Sequence, residues 1–209
     1  MDAREAKGRK PGDGMRKAYR GARRAAASPR ADEGLVPLSP LTRLLEWTGA
    51  RDAFVVFESD VHQLTASAIW GVSRGRKNVA FVVETERGNV FGSFHAVLPK
   101  QQSMIVSDDA RHFVFTMRNE LNTGPMRFLQ NETNENQLII HRETLNDWIF
   151  GVGYAFHIRG NDKSYIGSAS GEQLDRGYRD PLHLKSVVFN GTFYPNYFSV
   201  VRLLLVQMV

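Results

Sequence analysis

The chain has 209 residues, no cysteine and a formal net charge of +5, and 42% of its residues are hydrophobic, enough for one domain with a sizeable core. The absence of cysteine rules out disulfides, thiolate metal ligands and cysteine nucleophiles together. No run of about 18 apolar residues occurs, so a membrane-spanning helix is not expected. The longest apolar stretch, Val200 to Met208, is interrupted by Arg202 and Gln207 and has the length of a buried strand.

The charge is segregated along the chain. Residues 1–30 carry ten of the 27 basic residues and three of the 22 acidic ones, which leaves residues 31–209 at −2. Residues 1–38 mix Gly, Pro, Ala and Arg without apolar periodicity, and such a segment cannot bury enough surface to offset its ordering entropy. They predict a disordered basic tail ahead of a domain spanning residues 39–209. Such a tail suits a weak, salt-sensitive contact with nucleic acid or anionic lipid, or a nuclear address. Asp2 and Glu5 argue against a transit peptide, and the apolar core of a secretory signal is missing, so a cytoplasmic location is expected. The sequons at Asn131 and Asn190 are then expected to stay unused.

Ser39-Pro40 reads as an N-cap with proline at the first helical position, followed by Leu41, Leu44 and Leu45 at helical spacing and Gly49 as a stop. Arg51 to Phe57 has the β-branched and aromatic density of a buried strand. Asp60 is a candidate cap for a second helix over Gln63 to Val72, where Leu64, Ala68, Ile69 and Val72 recur at three- and four-residue steps. Asn78 to Thr85 and Asn89 to Leu98 predict a hairpin through Glu86-Arg87-Gly88. Further strands are expected at His112–Arg118, Met126–Gln130, Gln137–His141, Trp148–Ile158 with interruptions at Gly151 and Gly153, Lys185–Phe189, and Ser199–Met208. Two early helices and a meander of strands predict an α+β domain: two packed, mostly antiparallel β-sheets, a β-sandwich with flanking helices.

No catalytic, cofactor or metal constellation stands out. Gly151-Val152-Gly153 lacks the third glycine and the following helix that a nucleotide loop needs. The six histidines include no helical i, i+4 pair. Gly167-Ser168-Ala169-Ser170-Gly171 misplaces its serines for a nucleophile elbow. The neighbouring acids Asp108 and Asp109 suit a turn better than a pair of facing carboxylates. Met104, Met117, Met126 and Met208 fall in strand contexts and read as core filler.

Several stretches, in order, resemble the TLDc family, which includes the oxidation-resistance proteins. Asn89-Val90-Phe91-Gly92 is similar to the family's Asn-x-Phe-Gly-Gly, with Ser93 in place of the second glycine. Ser107, Asp108, Phe113 and Phe115 match its Ser-Asp motif and the Phe-x-Phe that follows. Trp148-Ile149-Phe150-Gly151, then Ser164-Tyr165, and Phe198 to Met208 as closing strand complete the resemblance over residues 39–209. The resemblance implies a β-sandwich with no cofactor and no settled catalytic mechanism. It also implies protein–protein contact linked to oxidative-stress protection or to regulation of the vacuolar proton pump, with pump subunits as candidate partners. The competing expectation is a hydrolase-like enzyme using Asp60, His62 and Ser164.

Overall fold

The computed structural model describes residues 40–143, 147–160, 163–167, 174–191 and 197–209. The predicted tail, and the serines at 168 and 170, lie outside the described residues. Helix α1 (Pro40–Thr48) begins on the predicted proline and buries Leu44, and Gly49 closes it at φ 70°, its N–H bonded to Leu45 O at 2.9 Å. Strand β1 (Ala53–Glu58) follows, then α2 (Ala66–Ser73), capped not by Asp60 but by Thr65, whose hydroxyl accepts the Ala68 N–H at 3.1 Å. Asp60 sits five residues too early because the chain first turns through Val61 and His62, whose N–H groups bond Glu58 O.

The predicted hairpin is β2 (Val79–Thr85) and β3 (Val90–His95), with Gly88 at φ 77° in its turn. After it come β4 (Ile105–Val106), β5 (Phe113–Arg118), β6 (Met126–Leu129) and β7 (Leu138–Ile140). Trp148 to Ile158 is not one interrupted strand but a hairpin, β8 (Trp148–Val152) and β9 (Phe156–Arg159), turning through Tyr154 at φ 61°. The chain continues through β10 (Ser164–Ile166), the one-turn helix α3 (Leu174–Gly177), α4 (Val187–Asn190), β11 (Tyr197–Phe198) and β12 (Val200–Met208). The predicted strand at Lys185–Phe189 is therefore α4, closed by Gly191 at φ 72°.

The strands form two antiparallel six-stranded sheets, ordered β1-β12-β2-β3-β5-β6 and β11-β10-β9-β8-β7-β4. This is the expected α+β sandwich. Alternation along β2 and β12 sends Phe81, Val83, Leu203 and Leu205 inward, where they meet Phe150, Phe156 and Ile158 of the second sheet. Phe81 lies 4.9 Å from Phe150, and Phe91 lies 5.2 to 5.4 Å from Phe156, Phe189 and Phe198, between ring centroids. Each such ring contact adds about 1 kcal/mol beyond its area burial.

A second apolar cluster lies on the outer face of the first sheet, where Leu44 and Trp47 of α1 cover Phe94, Phe113, Phe115, Val206 and Met208. Trp47 meets Phe113 edge-on at 6.1 Å. Gly92 is needed beneath this layer: a Cβ there would stand 2.0 Å from Phe81 O and 2.7 Å from the Phe115 ring. Met117 and Met208 are buried as expected, whereas Met104 is exposed, because it precedes the two-residue edge strand β4 instead of lying inside a long one.

Candidate functional site

The residues that carry the resemblance are used by the framework. Asn89 is buried; its Oδ1 accepts the Glu120 N–H at 3.1 Å and its amide donates to Glu120 Oε1, tying the β2–β3 turn to the β5–β6 loop. Phe91 is at the centre of the inter-sheet core, and Gly92 lies under Phe115, its register partner. Phe113 and Phe115 lie under α1. Ser107 and Asp108 are exposed. Their neighbour Asp109 is buried, and its carboxylate accepts the N–H groups of Val97 and Arg111 at 3.0 Å each, locking the turn that enters β5.

The hydrolase constellation is not assembled. Asp60 pairs with Arg202 at 3.4 Å, and Arg202 also holds Glu58. His62 stacks on Phe57 at 5.4 Å with Nδ1 3.1 Å from Glu58 O. Ser164 is fully buried in the second sheet, where its hydroxyl accepts the Arg159 N–H at 3.1 Å. No hydrogen bond joins any two of Asp60, His62 and Ser164 among the described residues. Nor, among those residues, does any group of three or more His, Asp or Glu side chains have a geometry that could hold a metal ion.

A buried polar chain runs beneath the first sheet's end. His95 and His112 stack at 4.4 Å, and His95 Nε2 is 2.9 Å from the Ser93 hydroxyl. His112 Nδ1 lies 2.9 Å from Phe94 O, which can only accept, so that nitrogen carries the hydrogen. Its Nε2 then accepts from the Tyr178 hydroxyl at 2.8 Å, with Gly153 O at 3.1 Å as the alternative acceptor. Burial pushes His112 down to about 4, and burial together with the adjacent His112 holds His95 well below its ordinary value. Burial raises the Tyr178 hydroxyl. Both imidazoles are therefore neutral near pH 7, and the chain is a structural tie between β3, β5 and the turn after α3.

Directly outside His112 is a cavity of about 370 Å³ at the C-terminal end of α1. Its lining includes Trp47, His112, Gln130 and three arginines, Arg111, Arg127 and Arg179. Arg111 donates to Thr48 O at 2.8 Å and lies over the Phe94 ring at 5.6 Å; Arg127 donates to Trp47 O at 3.0 Å and lies over Phe113 at 6.0 Å. None of the three has a carboxylate partner among the described residues. The sequence offered no signal for this set, since the three come from β5's entry, β6 and the turn after α3.

The second sheet has a cavity of its own, about 320 Å³, on its outer face. Strand register aligns Tyr197, Tyr165, His157, Gly151, Ile139 and Ile105 in one row across five strand pairs. Tyr165 and His157 stack at 4.7 Å, and the His157 ring folds over Gly151, where a Cβ would stand 2.4 Å from Nδ1. Burial, reinforced by nearby His141, lowers His157 to about 4. Ile105 and Tyr197, at the ends of the row, remain 46% and 54% exposed.

Fold and site together define a two-sheet α+β sandwich with an arginine-lined cavity on one sheet and an aromatic row on the other. The chain matches no family model and no curated protein. Among the described residues no helix is long and apolar enough to cross a membrane.

Proposed function

We propose that this chain is a non-enzymatic interaction module of TLDc type, acting through protein–protein contact in oxidative-stress protection or in regulation of the vacuolar proton pump. It works in the cytoplasm, and its basic tail adds a weak contact to nucleic acid or anionic lipid, or a nuclear address. One observation carries the reading: the aromatic row from Ile105 to Tyr197, an apolar strip on the outer face of the second sheet with both ends half exposed. Exposed apolar surface that is contiguous across a sheet marks interaction sites. The order of motifs from Asn89 to Tyr165 supplies the family half of the reading, and their use as framework is consistent with a scaffold whose function lies on its surface.

The test is to titrate the purified full-length chain onto purified vacuolar proton pump while proton pumping is followed. Saturable binding that alters pumping and is abolished by Ile105→Asp with Tyr197→Asp is expected. Absence of binding, or binding indifferent to both substitutions, contradicts this role for the row.

A further inference from the structure

The arginines around the end of α1 exceed what the helix needs. A helix C-terminus presents about half a negative charge, and its last carbonyls ask for one donor each. Arg111 and Arg127 supply those donors to Thr48 O and Trp47 O. Arg111 Nη1 also reaches Asn78 Oδ1 at 3.5 Å; each guanidinium offers five N–H donors in a rigid planar fork, so both still hold N–H groups for something else. Because they reach two adjacent carbonyls, the donating nitrogens are held within about 10 Å of one another.

Arg179 caps nothing. Its backbone N–H is bonded to Leu129 O at 2.8 Å, which brings the residue to the rim of the same cavity, and its guanidinium has no partner among the described residues. Among the described residues no carboxylate lines the cavity. Of the acids near in sequence, Asp109 accepts the N–H groups of Val97 and Arg111, Asp180 accepts that of Lys185 through Oδ2 and keeps Oδ1 without a hydrogen bond among the described residues, and Asp108 is exposed; none of the three lines the cavity. Three positive charges thus stand around one depression in a part of the chain, residues 31–209, whose net charge is −2.

We propose that this cavity binds a phosphate-class oxyanion carrying two or more negative charges. Guanidinium forks match phosphate oxygens two at a time, and forks already fixed by a carbonyl and an aromatic face lose little freedom on binding. A volume of about 370 Å³ suits a compact ligand. An acidic peptide would string its carboxylates along a groove, whereas these guanidiniums surround a single depression. The anion comes either from a soluble phosphorylated molecule or from a phosphorylated headgroup at a membrane surface. This assignment is independent of whether the aromatic row docks a protein, since the two surfaces share no residue.

The experiment measures pyrophosphate binding to the full-length chain and to Arg179→Gln, with Arg118→Gln as a control far from the cavity. The tail attracts any polyanion, but it is identical in all four proteins compared, the wild-type chain, Arg179→Gln, Arg179→Lys and Arg118→Gln, so differences between them report the cavity alone. Arg179→Gln is the discriminating variant because it removes no helix cap and leaves the fold in place. It is expected to weaken binding about tenfold, Arg179→Lys to recover part of the loss, and Arg118→Gln to change nothing. Vesicles of phosphatidylcholine doped with a phosphatidylinositol bisphosphate separate the sources. Arg179-dependent vesicle binding displaced by pyrophosphate assigns the headgroup, and Arg179-dependent pyrophosphate binding without Arg179-dependent vesicle binding assigns a soluble ligand. Equal pyrophosphate affinity for wild type and Arg179→Gln would overturn the proposal, as would an oligo-aspartate peptide losing as much affinity on Arg179→Gln as pyrophosphate does.

Discussion

The two ends of the first sheet use arginine in opposite ways. At the β2–β3 turn, Arg87 pairs with Glu120 at 2.7 Å and Arg118 with Glu84 at 2.9 Å. At the other end, around the last turn of α1, Arg111, Arg127 and Arg179 line one cavity without a carboxylate among its described residues. The first arrangement is closed: each cation has its anion, and the pairs brace a turn. The second is open, because backbone carbonyls, ring faces and the Asn78 amide oxygen orient the Arg111 and Arg127 guanidiniums without neutralising them. Arginine therefore marks a candidate ligand site here through the absence of a carboxylate beside it, and abundance alone says little.

The contrast extends to what lies underneath, and acid exposes it. Two neutral histidines sit below the open end, and His112 is lowered to about 4 by burial. An unfolded histidine takes up its proton near 6.5, so above that pH neither state is protonated and stability is complete. Between 6.5 and about 4 the unfolded chain binds the proton and the folded one does not, so stability falls as pH falls. His112 alone accounts for a loss of about 3 kcal/mol over that window. Urea unfolding at a series of pH values should show this slope, and His112→Gln should flatten it whatever the substitution does to absolute stability. An unchanged slope would mean that His112 titrates normally in the folded protein.

The smallest effect belongs to the closed end. Glu84→Gln breaks the pair with Arg118, whose two side chains are 38% and 61% exposed. The expected loss is below about 1 kcal/mol and shrinks further in high salt. A larger, salt-insensitive loss by the same urea measurement would show that the turn is braced by more than screened surface charge.

Much of the sandwich was legible because its signals are local. β-Branched and aromatic density marked β1, β2, β5 and β12, and Gly88 supplied the positive φ that the first hairpin turn requires. Errors arose where the deciding residue carries no such mark. Tyr154 takes a left-handed conformation that tyrosine composition does not announce, so Trp148 to Ile158 read as one strand interrupted at Gly151 and Gly153 and not as a hairpin. A run as short as Lys185–Phe189 cannot be told from one turn of helix by periodicity; Gly191, the left-handed cap of α4, was the only local sign. The arginine cavity was invisible for a different reason. Arg111, Arg127 and Arg179 are far apart in sequence, and the net −2 of residues 31–209 averages the paired and unpaired arginines together. The aromatic row depends on register across five strand pairs, which no single segment encodes.

A crystal structure of the full-length chain grown with pyrophosphate would settle the role of the open end. The anion should bridge the guanidiniums of Arg111, Arg127 and Arg179 beside Trp47, with Arg87 and Arg118 still bound to their glutamates. Pyrophosphate found only on the hairpin arginines or on residues 1–30, or an arginine cavity left without it, would contradict the distinction between the two ends.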